Sequence, residues 1–366
     1  MRRAKITGWG KCLPPAALTN DDLARLTDTS DEWIMTRTGI RERRISHVGS
    51  GELGRVAAER ALACAGRSAE EINMIIFASA TPDLLVPNTA SRLQLALGND
   101  SASAFDINSG CTGFVYGQKI ASDHLSNNPD DVVLVVGAER LTWYLDWTQR
   151  EHAVLFGDGA GAAVFEASDT DAGVLCSHIG CEPGPGEALM IADFGTAMDR
   201  FGPDPMVFDL RFDGRVIFGH AVKGMASACE TVLGQAGLGV KDIDLVIPHQ
   251  ANERIIDALA DRLGMDHGKV FKNIADYGNT SAATIPVGLT EALEQGLIKP
   301  GANLLMAAFG AGLTWGASVV RWGDRIEPLG VSDAELPPCN QSAMELISDA
   351  VAFFSANNQD SEAPAR

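Results

Sequence analysis

Short runs of Val, Ile, Leu and Ala recur along the chain at intervals that leave room for a helix between them. Seven of these runs, at 72–80, 102–107, 132–136, 160–166, 244–248, 303–309 and 317–321, read as buried strands. Near-continuous apolar character, rather than strict alternation, is what a strand covered by helices on both faces presents. Helical periodicity returns between the runs, for example over 114–125, so the pattern predicts an α/β fold. The N-terminal residues form a short β-like stretch that Gly8 and Gly10 are expected to break.

Several segments come in similar pairs. Residues 71–77, from Glu71 to Phe77, read like 242–248, from Asp242 to Pro248. Residues 133–137, followed by the Gly-rich stretch 156–164, read like 304–309 followed by 310–319. This predicts two duplicated halves, 1–170 and 171–323, and a C-terminal extension, 324–366, of acidic character. Within the extension, 344–354 is amphipathic, and the last ten residues are expected to be mobile. The Gly- and Pro-rich stretch 182–205 reads as an irregular surface excursion at a site entrance.

Composition narrows the function. Of 366 residues, 46% are hydrophobic and 21% charged, the balance of a folded globular protein. A net charge of -19 argues against nucleic acid as a partner. No apolar run of about 18 residues occurs, so neither a membrane span nor a signal peptide is expected. Seven cysteines without CxxC spacing fit a reducing cytoplasm and no metal site.

The chemistry concentrates at three places. Around Cys111, in Asn108-Ser109-Gly110-Cys111-Thr112-Gly113, a strand ends in a tight turn and a helix begins. A thiol at a helix N-terminus is expected to have a lowered pKa and to serve as a nucleophile. His249 stands at the C-terminal end of a buried strand, where α/β sheets bind ligands. Asn279 lies in a Gly-Asn turn that enters a helix of small residues. The chain order Cys111, His249, Asn279 fits two chemistries: thiol hydrolysis, with His as base and Asn orienting it, or decarboxylative condensation, with His and Asn both donating to a thioester oxygen.

Six separated motifs decide between them. Thr29 to Ile34 with Arg37 to Arg43, the Cys111 turn, Phe156 to Gly161, Pro248 to Asn252, Gly278 to Ala283 and Gly312 to Gly316 together resemble β-ketoacyl-acyl carrier protein synthase III, over about residues 1–322. The resemblance implies a thiolase fold, two pseudo-symmetric halves in a five-layered α-β-α-β-α core, assembled as a homodimer. It implies that Cys111 takes an acyl group from acyl-CoA, with backbone amides at Cys111, Gly310 and Ala311 holding the oxyanion. Malonyl-acyl carrier protein then loses carbon dioxide while His249 and Asn279 stabilise the enolate, and a 3-oxoacyl product forms. No cofactor is expected, since the CoA thioesters are substrates.

By the same resemblance Trp33 and Arg150 sandwich the CoA adenine, and Arg37 and Asn252 lie near its phosphates and pantetheine arm. Arg254 and Arg262 belong to the face that docks carrier protein, although Asp261 and Gly219 stand where lysine is expected. Ala311 replaces a usual glycine, which is tolerable if its backbone avoids left-handed space. Val86, in the loop reaching the partner's acyl pocket, is smaller than the aromatic some members carry, so a primer longer than acetyl, of medium chain length, is expected. The alternatives are a relative of the same fold, in secondary metabolism, that passes the acyl group to a different acceptor, and a thiol hydrolase.

Overall fold

The computed structural model describes residues 2–191 and 210–361, with side chains through residue 356. Two sheets organise it. In the first, the spatial order is Arg3–Cys12, Gly159–Ser168, Val132–Glu139, Met74–Ala78, Ser103–Ile107. The last three run parallel and the first two pair antiparallel. In the second, Leu245–Pro248 pairs parallel with Asn303–Gly310, which is followed antiparallel by Thr314–Arg321 and Gly173–Cys181.

The similar segments occupy matching places in the two sheets. Met74–Ala78 lies parallel to Val132–Glu139 as Leu245–Pro248 lies parallel to Asn303–Gly310, and each pair continues into an antiparallel strand of small residues. Among the described residues, the position of Ser103–Ile107 is answered in the second half only by an isolated parallel bridge between Val246 and Val270.

Layering follows from which faces are apolar. Helices Gly113–Asn127 and Thr284–Glu294 lie between the sheets, where Phe114, Val115, Leu125, Ile285 and Leu289 pack against Val133, Val135, Leu304 and Met306. Ser50–Ala65 covers the outer face of the first sheet, and Gly214–Ala236 with Glu253–Leu263 covers that of the second. The result is an α-β-α-β-α stack. Each fully buried Leu, Ile or Phe stabilises it by about 1.5–3 kcal/mol.

Two strands escape the hydrophobic pattern. Gly173–Cys181 is an edge strand with mostly half-buried positions, so it carries no apolar run. Arg3–Cys12 is continuous through Gly8 and Gly10, contrary to expectation, with a register shift between Ile6 and Gly8. A Cβ on Gly8 would lie 2.1 Å from the carbonyl oxygen of Ala61, and one on Gly10 would lie 2.5 Å from that of Ala57. These glycines let the Ser50–Ala65 helix close on the strand; they do not interrupt it.

Of the excursion at 182–205, the described part holds a turn at Gly186–Ala188 and the strand Leu189–Ile191, paired antiparallel with Leu210–Phe212. The remainder, 192–205, lies outside the described residues. Beyond Trp322 the chain returns across the first half: Leu329 N–H donates to the Cys64 carbonyl at 3.0 Å and Arg60 donates to the Ala334 carbonyl at 2.9 Å. The amphipathic stretch belongs to a helix, Ala343–Ser361, that buries Ala343 and Ile347 against Leu18, Ile45 and Trp147. Of the ten terminal residues, the first five belong to this helix and 362–366 lie outside the described residues.

Candidate active site

Cys111 lies in a single 3-10 turn, Gly110–Thr112, that leads directly into the Gly113–Asn127 helix. Gly110 takes a left-handed φ of 56°, which a side chain would resist. The loop after the Asn303–Gly310 strand meets this turn so closely that a Cβ on Gly310 would lie 2.6 Å from the Cys111 nitrogen. Thr112 Oγ1 donates to the Ser109 carbonyl at 2.6 Å, and Thr314 Oγ1, 2.9 Å from Thr112 Oγ1, lies 2.8 Å from the same carbonyl and 3.0 Å from that of Ala311. The nucleophile turn and the glycine loop of the other half are therefore clamped together. Ala311 does not take a positive φ, so its methyl group is unstrained.

The expected low thiol pKa is not what this environment gives. Cys111 is buried, and that burial pushes the thiol up to about 12, opposed by a hydrogen bond with Ser281 and reinforced by the Glu139 carboxylate. The helix N-terminus is present, but desolvation outweighs it. The resting group is a neutral thiol.

His249 follows the Leu245–Pro248 strand, and its backbone N–H donates to the Ala307 carbonyl at 2.7 Å. The ring is 2% exposed, and burial pushes its pKa down to about 3, so it is neutral. Its Nδ1 lies 2.8 Å from Thr284 Oγ1, which also lies 2.9 Å from the Ser281 carbonyl. The Thr284 hydroxyl has one proton for these two acceptors: given to Nδ1 it puts the ring proton on Nε2, and given to the Ser281 carbonyl it leaves Nδ1 as the protonated nitrogen. Sequence reasoning missed Thr284; its position on the helix that Asn279 introduces is the signal that could have found it.

Asn279 is anchored through its backbone, its N–H donating to the Leu155 carbonyl at 2.8 Å and its carbonyl accepting from Gly157 at 3.0 Å. Its Oδ1 accepts the Ser281 N–H at 2.8 Å, which turns the amide NH₂ toward the site. Cys111, His249 and Asn279 all line one cavity of about 220 Å³, with Leu155, Phe156, Leu189, Ile217, Met225 and Phe309 forming its apolar wall. A neutral imidazole and an amide facing a buried thiol in an apolar cavity can stabilise charge developing on a thioester oxygen.

Family models place the chain. Residues 105–183 match 3-oxoacyl-[acyl-carrier-protein] synthase III and residues 233–322 match its C-terminal region. A β-ketoacyl-[acyl-carrier-protein] synthase III 2 of Vibrio cholerae is 56% identical over 348 residues, 95% of this chain and 96% of that one. The chain belongs to the β-ketoacyl-acyl carrier protein synthase III family. Among solved structures, synthase III from Aquifex aeolicus matches with a TM-score of 0.82 at 43% identity, covering 87% of this chain and all of its own. The priming β-ketosynthase of the R1128 polyketide pathway matches at 0.83 and 34%, covering 88% of this chain and 97% of its own. The fold is the thiolase fold, and the chain is a condensing acyltransferase.

The remaining expected residues of this synthase sort by position. Trp33, Arg37 and Asn252 line the mouth of the cavity. Arg150 and Arg37 place their guanidinium carbons 4.8 Å and 5.6 Å from the Trp33 ring centre. Arg150 thus rests on Trp33 itself. Asn252 caps the Glu253–Leu263 helix, accepting from Arg254 N–H at 2.9 Å, and donates to the Arg37 carbonyl at 3.1 Å. Arg254 also lines the cavity mouth, whereas Arg262 is exposed in the last turn of the same helix and lies outside it. Val86 is 85% exposed and takes no part in the cavity of its own chain. Among the described residues no His, Cys, Asp and Glu cluster could hold a metal, and no helix is long and apolar enough to cross a membrane.

Proposed function

We propose that Cys111 is the residue acylated by the CoA thioester and that His249 and Asn279 stabilise the enolate formed from malonyl-acyl carrier protein. As a synthase III, the chain condenses an acyl-CoA with malonyl-acyl carrier protein and so initiates fatty acid synthesis. The observation that supports these roles is the convergence of the thiol, the imidazole and the amide on one apolar cavity. Cys111 attacks the thioester carbonyl, CoA leaves, and the acyl group occupies the apolar wall. The backbone amides of Cys111 and of the Gly310 to Ala311 loop are the oxyanion donors. Malonyl thioester then loses carbon dioxide, its oxygen accepts from His249 Nε2–H and Asn279 Nδ2–H, and the resulting carbanion attacks the acyl-cysteine.

A neutral histidine suits this role better than hydrolysis. An imidazole held at about 3 is a weak base for activating water, yet remains a hydrogen-bond donor. The chain works in the cytoplasm as a homodimer without a bound cofactor, divided into halves at 1–170 and 171–323, with 324–366 as an extension. Trp33, Arg37, Arg150 and Asn252 hold CoA, Arg254 and Arg262 face the acidic carrier protein, and Val86 of each protomer borders the partner's acyl pocket. The small Val86 side chain leaves room for a medium-chain primer. Comparing acetyl-CoA with octanoyl-CoA in 3-oxoacyl product formation tests this. The octanoyl primer should win, and a clear acetyl preference overturns the chain-length assignment. Product formation surviving in Cys111→Ala overturns the assignment of the nucleophile.

A further inference from the structure

His249 and Asn279 line one cavity but come from separate stretches of chain. The helix Thr284–Glu294 reaches both stretches. At its start Thr284 Oγ1 lies 2.8 Å from His249 Nδ1. Seven residues on, two turns and about 10 Å along the axis, Glu291 stands on the same face of the helix. It is 6% exposed and is the one charged side chain among the buried residues 284–293. A buried carboxylate is costly unless donors surround it. Three reach this one: Tyr277 Oη donates to Oε1 at 2.6 Å, Lys11 Nζ donates to the same oxygen at 2.9 Å, and Asn273 Nδ2 donates to Oε2 at 2.9 Å.

The two neutral donors lead to the two site residues. Tyr277 stands two places before Asn279, and Gly278 between them takes φ 65° and ψ -157°, a combination open to glycine alone. A Cβ on Gly278 would lie 2.8 Å from the Leu155 carbonyl oxygen, the same group that accepts the Asn279 N–H. The turn is tight, so where Tyr277 is held sets where Asn279 emerges. On the other side, Asn273 N–H donates to Gln250 Oε1 at 3.1 Å, and Gln250 Nε2 donates to the carbonyls of Pro248 and Phe271 at 2.9 Å and 3.1 Å. Pro248 and Gln250 are the chain neighbours of His249. One oxygen of Glu291 thus grips the approach to Asn279, and the other grips, through Asn273 and Gln250, both sides of His249. The clamp on the Cys111 turn runs through Ser109, Thr112, Ala311 and Thr314 and uses none of these groups.

We propose that Glu291 is a positioning residue for the second half-reaction: it fixes the spacing between His249 and Asn279 so that both side chains reach one thioester oxygen. The proposal rests on the reading of His249 and Asn279 as the donors to the enolate. Glu291 touches no substrate and moves no proton. Its action is geometric, because a donor displaced from a developing oxyanion by even about 1 Å loses much of its effect. Lys11, which also pairs with Glu294 at 2.6 Å, supplies the charge that lets the carboxylate stay buried. The signal in the sequence is a lone acid in an apolar helix, two turns after Thr284.

The test separates the half-reactions. Malonyl-acyl carrier protein decarboxylation at saturating substrate and single-turnover acylation by acyl-CoA are measured for full-length Glu291→Gln, Tyr277→Phe, Asn279→Ala and the double variant of Tyr277→Phe with Asn279→Ala. Tyr277→Phe should slow decarboxylation about tenfold and Glu291→Gln about a hundredfold, with acylation in both within about twofold of the parent. In the Asn279→Ala background Tyr277→Phe should cost no further decarboxylation, because the amide it positions is gone. Parent-like decarboxylation in both Glu291→Gln and Tyr277→Phe overturns the proposal. So does an equal fall in both half-reactions, or a full tenfold loss from Tyr277→Phe in the Asn279→Ala background, since either marks a structural role. If Glu291→Gln does not fold, Tyr277→Phe and its double variant decide. Parent-like decarboxylation in Asn279→Ala would instead overturn the reading of Asn279 as an enolate donor.

Discussion

The side-chain oxygen of Asn279 accepts the backbone N–H of Ser281 at 2.8 Å, and this fixes which end of the amide faces the cavity. With the oxygen occupied, the NH₂ group is the end presented to the cavity. Replacing Asn279 by Asp keeps the shape but presents an acceptor instead of a donor. Malonyl-acyl carrier protein decarboxylation should fall by about 10²–10³, while acyl transfer to Cys111 persists. A variant that decarboxylates at the parent rate would show that Asn279 does not touch the enolate.

His249 carries a stability signature. Its folded pKa is pushed from 6.5 down to about 3, so between those values the unfolded chain binds a proton that the folded chain refuses. Its contribution is fully present above pH 6.5 and is lost, by up to a few kcal/mol, as pH falls toward 3. Asp158, buried and pushed from 3.8 up to about 6, acts in the opposite sense over its own window, being stabilising at low pH and losing that contribution as pH rises. The informative quantity is therefore the difference between His249→Gln and the parent. The variant should lose less stability on acidification in denaturant titrations, and identical pH slopes would contradict a buried neutral imidazole.

Much of this was written in the sequence, for reasons that differ by element. Buried strands declared themselves because both faces are apolar, and the repeat was readable because matching strands face matching packing demands. Cys111, His249 and Asn279 stood out by position at strand ends and helix starts, and the structure brings all three to one cavity. The Arg3–Cys12 strand was misread because a glycine needed for helix contact looks the same in sequence as a glycine that ends a strand. The thiol's pKa was misjudged because burial is a three-dimensional property that the local Ser-Gly-Cys-Thr pattern does not carry. Thr284 meets His249 by a hydrogen bond across 35 residues of sequence, which no local pattern encodes.

That reading of Gly8 has its own test. Gly8→Ala places a methyl carbon 2.1 Å from the Ala61 carbonyl oxygen, a contact that strand or helix must move to relieve. Overpacking of this kind costs about 1–3 kcal/mol, so the urea midpoint should fall. An unchanged midpoint would mean the helix does not sit on the strand as described.

Trp33 should matter for binding and not for chemistry. Two guanidinium groups rest on its ring, and cation–π contacts are worth about 0.5–2 kcal/mol. Trp33→Ala should raise the KM for acyl-CoA by roughly tenfold and leave kcat within about twofold. An acyl-pantetheine substrate, which lacks the nucleotide, should show no such change. An equal rise with both substrates would place Trp33 away from the adenine.

The central claim is an acyl group carried on Cys111 and discharged by malonate. Intact-protein mass after mixing with acyl-CoAs of increasing length, followed by malonyl-acyl carrier protein, measures both steps. The mass should rise by that of the acyl group, not in Cys111→Ala, and fall again on malonyl addition as 3-oxoacyl-acyl carrier protein forms. An adduct that forms on Cys111 but is released only by water or another acceptor would contradict it.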